Sequence, residues 1–94
     1  MPEREKFSAR MDDQLKHLKE RIEKSKSMAE NRGGEFFEKY EEDLTKLESK
    51  YDLARYKLSL LRTSSASAWH ELRDGFEKAL NELKAALTKA KDKF

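Results

Sequence analysis

Cysteine is missing from this chain of 94 residues, which excludes disulfides and thiolate-held metals and leaves no marker of redox compartment. No apolar run approaches the roughly 20 residues of a membrane span. The charged start Met-Pro-Glu-Arg-Glu-Lys leads into no apolar core of the kind a signal peptide needs, so a cytoplasmic location is expected. Charge of one sign is also lacking: 21 Lys plus Arg stand against 19 Asp plus Glu, for a net charge of +2. That balance is the profile of a solvated helical surface and not of a nucleic-acid binder. Glycine is confined to Gly33, Gly34 and Gly75, with no P-loop and no dinucleotide-binding fingerprint around them.

What the chain does have is an apolar period. From Phe7 to Phe94 the large apolar residues recur at steps of three and four, interrupted at Gly33-Gly34 and at Thr63-Ser64-Ser65-Ala66-Ser67. That spacing is helical and gives each stretch one apolar stripe. The content, 43% charged against 36% hydrophobic, is lean for a self-sufficient core, so self-association is an open expectation.

The pattern predicts helices over 5–31, 35–62 and 68–93, with joints at 32–34 and 63–67, as a single helical domain spanning 1–94. In the first, Phe7, Met11, Leu15, Leu18 and Ile22 mark the buried face, and the stripe fades beyond Glu23, where Ser25 takes a core position. That end is expected to be loosely held or paired elsewhere. In the third, alanine adds helix propensity, and Ser67 is a candidate cap for the helix that bears Trp69.

Like lengths and short joints make an antiparallel three-helix bundle the simplest all-α architecture. The alternative is one long helix running through Gly33-Gly34 with a shorter return helix, dimerising, because Ala29, Gly33, Phe36, Tyr40 and Leu44 keep the stripe in phase across the pair. Charge pairs one turn apart, Asp12 with Lys16, Glu20 with Lys24, Glu35 with Lys39, Glu42 with Lys46 and Asp74 with Lys78, each support a helix by roughly 0.2–0.5 kcal/mol.

Catalytic and metal chemistry finds little to work with. His17 follows Asp13 and His70 precedes Asp74 by one turn, but Gln14 and Ser67 stand where a di-iron bundle would need glutamate. The serines of the second joint have only His70 as a neighbouring base, which is no triad. No enzyme activity, cofactor, metal or small-molecule substrate is expected. The aromatic residues fall on the stripe, where packing and not base stacking calls for them, and no nucleic-acid partner is expected.

The stretch Ser65-Ala66-Ser67-Ala68-Trp69-His70-Glu71-Leu72-Arg73-Asp74-Gly75-Phe76-Glu77-Lys78-Ala79-Leu80-Asn81-Glu82-Leu83 resembles a pattern of small bacterial coiled-coil proteins, some of them labelled stress-response proteins. In that pattern a small-residue joint is followed by Ala-Trp-Glu-x-Leu-Lys-x-Gly-x-Glu-x-Ala-x-x-x-Leu. The resemblance implies a helical hairpin-like fold in a bacterial cytoplasmic setting and no catalytic residues. Gly33-Gly34 departs from the more continuous first helix of that pattern. Gly75, inside a helix beside the stripe, points to a close approach of a second helix.

The functional expectation is a non-enzymatic module for protein–protein association. Its packing and interaction face is Phe36, Tyr40, Leu44, Leu47, Tyr51, Leu58, Leu61, Trp69, Leu72, Phe76, Leu80, Leu83 and Leu87. The rival is a peripheral membrane-surface or polyanion binder using the C-terminal amphipathic helix, with Lys84, Lys89, Lys91 and Lys93 at its end and Glu71, Asp74, Glu77 and Glu82 opposing an anionic surface.

Overall fold

Three stretches of unbroken helical propensity become three helices: α1 (Glu3–Asn31), α2 (Gly34–Thr63) and α3 (Trp69–Lys93). They belong to a computed structural model that describes residues 3–93; Phe94, where the apolar spacing ends, lies outside them. The helices pack up-down-up as a three-helix bundle with principal extents of 50 × 21 × 18 Å. Arg4 and Asp12 of α1 meet the C-terminal end of α2, and Lys93 of α3 reaches Asp43 near its N-terminal end at 2.9 Å. Consecutive helices are thus antiparallel, and α2 is the middle member, with the more extensive contacts to both neighbours.

The long helix through the glycine pair does not form. Arg32 and Gly33 donate to Ala29 and Glu30 carbonyls in tight three-residue turns that close α1, and the Phe37 amide then opens α2 on the Gly33 carbonyl at 3.0 Å. Between them Gly33 takes φ 103° and ψ 165°, a region open almost only to glycine. The stripe stays in phase across the break because the chain reverses and both halves still face the same core.

The second joint is held by side chains. α2 ends at Ser64, which is extended, and the Arg4 guanidinium donates from Nη2 to the Leu61 carbonyl, the Ser64 carbonyl and Ser64 Oγ at 3.1, 2.6 and 2.9 Å. A cation thereby satisfies carbonyls that the helix end leaves open. The cap ahead of Trp69 is Ser65 and not Ser67: Ser65 Oγ accepts from the Ala68 amide at 3.3 Å, while Ser67 hydrogen-bonds the Ser65 hydroxyl.

Beyond this joint, α1 and α3 are tied by aromatic rings. Phe7 meets Trp69 and Phe76 edge-on at 5.8 and 6.1 Å, and the Arg73 guanidinium lies 4.7 Å from the Phe7 centroid and 5.1 Å from that of Trp69 while bonding Glu77 at 2.9 Å. Such cation–ring contacts contribute about 0.5–2 kcal/mol apiece.

Gly75 does not mark a close approach. A Cβ built there would meet only Lys57 Nζ, at 3.8 Å, the movable end of a long side chain. The glycine therefore carries its propensity cost with no packing gain. Gly75→Ala should raise stability by about 1 kcal/mol and the melting temperature by several degrees. A thermal melt followed by circular dichroism reads this directly, and a lowered midpoint would restore the close-approach reading.

Candidate interaction surface

Most of the residues assigned to the packing face are spent inside the chain. Leu44, Leu47, Tyr51, Leu58, Leu61, Trp69, Phe76, Leu80, Leu83 and Leu87 are buried, and Phe36, Tyr40 and Leu72 are half-buried. The three helices bury most of this face against one another and leave little of it exposed.

The faded end of α1 packs at one point and stays open at another. Ala29 is fully buried, and Ser25, small where a large residue would fill the space, leaves an open groove of about 490 Å³ between α1 and α3, bordered by Arg21, Lys24, Ser25, Met28, Leu87 and Lys91. A larger groove of about 550 Å³ lies over the second joint, but the Arg4 and Asp12 side chains that line it are engaged with α2.

The histidines are remote from each other and from any cluster. His17 is exposed and lies 3.7 Å from Glu20, and His70 packs its ring edge against Trp69. Among the described residues no three His, Cys, Asp or Glu side chains come together as a metal-holding group.

Of the one-turn charge pairs, Glu42 and Lys46 meet at 3.5 Å. Asp12 instead reaches across to Arg62 on α2, and Glu20 turns to His17. Lys26 bridges Glu48 at 3.8 Å. Among the described residues Asp12–Arg62, Lys26–Glu48 and Lys93–Asp43 thus link helices, because antiparallel packing brings opposite charges side by side.

The feature that sequence reading passed over lies on the back of α2. At about 100° per residue, Ser49, Leu53, Tyr56, Leu60 and Thr63 form a row diametrically opposite Leu47, Ala54, Leu58 and Leu61. Leu53 is 45% exposed and Tyr56 60%, and Leu60 is half-buried. The row holds no charge, in a chain that is 43% charged. On the α1 side it is bordered by Glu48 and Asp52, which edge the α1/α2 groove with Lys19 and Glu23. On the α3 side it is bordered by Lys46 and Lys50, which edge the α2/α3 groove with Lys89 and Lys93. The signal was present as a second apolar spacing, 53, 56 and 60, out of phase with the first and masked by it.

Comparison with protein families, curated proteins and solved structures gives no match. The ridge is therefore read on its own chemistry.

Proposed function

We propose that this protein is a non-enzymatic helical module that works by protein–protein association, and that the surface it offers is the outer ridge of α2. The observation that carries this reading is the pair Leu53 and Tyr56, large and about half exposed, in line with Leu60 on a row free of charge. Solvated helix backs in this chain carry Lys and Glu, and a ridge that water alone touched would gain nothing from leucine and tyrosine. Tyrosine suits a contact that is apolar on its ring and wet at its hydroxyl.

The rival reading, lipid binding through the C-terminal helix, would need Trp69, Phe76, Leu80, Leu83 and Leu87 to leave the core. No helix among the described residues is long and apolar enough to cross a membrane. The bacterial, stress-associated setting is part of the proposal through the resemblance of residues 65–83 alone.

A photoreactive phenylalanine analogue placed at Tyr56 in living cells tests the reading. Protein adducts should form there well above those from the same group at exposed Asp13 on α1. Equal, background yields at both positions would overturn it.

A further inference from the structure

We infer that the occupant of this ridge is a second copy of the chain, lying parallel and in register; the inference rests on the association reading above. The ridge has heptad spacing: Ser49, Leu53, Tyr56, Leu60 and Thr63 alternate steps of four and three, the spacing of the two seam positions of a coiled coil. The stretch from Ser49 to Thr63 is about 21 Å long, two turns of the heptad repeat.

Charge chooses both partner and direction. The residues directly flanking this seam are Asp52 and Ser59 on one side and Lys50 and Lys57 on the other. When two such helices lie parallel, opposite flanks face each other, and the first flank meets the second flank of its neighbour five residues further on. That rule sets Asp52 of each copy against Lys57 of the other, twice by symmetry. Laid antiparallel, the same helices would put like flanks together, Lys50 against Lys57 and Asp52 against Ser59, with no opposite charges paired. Among the described residues neither Asp52 nor Lys57 is engaged in an ion pair within the chain, and the Lys57 side chain ends over Gly75 of α3. Continued one step towards the N-terminus the same spacing reaches Lys46, which Glu42 pairs at 3.5 Å, so the uncharged seam starts at Ser49. A seam this short gives a reversible pair and not a permanent one.

The absence of cysteine makes the test clean. Ser49→Cys and Leu60→Cys, made separately in the full chain, should each oxidise to a self-linked dimer, because in a parallel pair every seam position faces its own copy. An antiparallel pair has its axis at one place only and could link one of the two. In parallel, light scattering on the unaltered chain should show mass rising from 11.1 kDa with concentration. Asp52→Lys should weaken that rise about tenfold, and the double exchange Asp52→Lys with Lys57→Asp should restore it. Linkage at a single site, linkage only in a mixture of the two variants, or a constant monomer mass would each overturn the inference. Adducts at position 56 with other proteins but none with the chain itself would also remove the second copy while leaving the association reading in place.

Discussion

Phe76→Ala should cost about 3–5 kcal/mol, the range for deleting a phenylalanine ring from a closed core. Phe76 is fully buried on α3 and meets the Phe7 ring of α1 edge-on, at the end of the bundle where α2 leads into α3 through the serine joint. For 94 residues the usual stability per residue gives a total of roughly 5–14 kcal/mol, so this one ring accounts for about a fifth or more of it. The loss is cooperative, because Phe7 would lose an edge-on partner and Arg73 would remain stacked on rings no longer held in place. Urea unfolding followed by circular dichroism measures the change, and Trp69, the one tryptophan, reports by a red-shifted emission whether the α1–α3 contact opens first. Phe36→Ala at the opposite end, on a half-buried ring, should cost less than half as much. Equal costs would mean that the bundle is not held more firmly at its aromatic end.

The helices were legible because a single stripe of Leu15, Leu18 and Ile22, or of Phe76, Leu80, Leu83 and Leu87, has only one way to be buried. The two joints were legible for a local reason as well: Gly33 sits at a positive φ, and serines displace backbone hydrogen bonds. The bundle was legible too, and what failed was the assignment of particular partners to side chains distant in the chain. Arg4 reads as one more surface cation, yet it closes the C-terminal end of α2 some 60 positions away. Asp12 has Lys16 one turn along its own helix, yet it bonds Arg62, because antiparallel packing sets them side by side. Gly75 reads as a contact point in one dimension and faces only a lysine tip in three. The ridge on α2 was obscured differently. Two apolar faces on one helix blur its amphipathic signal, and Leu53, Tyr56 and Leu60 become distinct only once Leu47, Ala54, Leu58 and Leu61 are known to point the other way.

Those two faces of α2 should respond in opposite ways to the same substitution. Leu58→Glu places a carboxylate at a site 2% exposed, inside the apolar core cluster. Burying an unpaired carboxylate costs more than the whole of a marginal bundle supplies, so the expected result is loss of helicity and of any melting transition at ordinary pH. Leu53→Glu, five residues earlier and 45% exposed, keeps its carboxylate in water and should shift stability by no more than about 0.5 kcal/mol. If the ridge is an association surface, that second variant keeps the full helical signal of a folded bundle while losing its concentration-dependent mass and its adducts at position 56. Leu53→Glu unfolding the chain as Leu58→Glu does would mean that the ridge belongs to the fold, and the association reading would lose its surface. On the association reading the two leucines divide one helix between what holds the bundle together and what it presents to a partner, and a dichroism spectrum with a mass measurement on each variant tells the two roles apart.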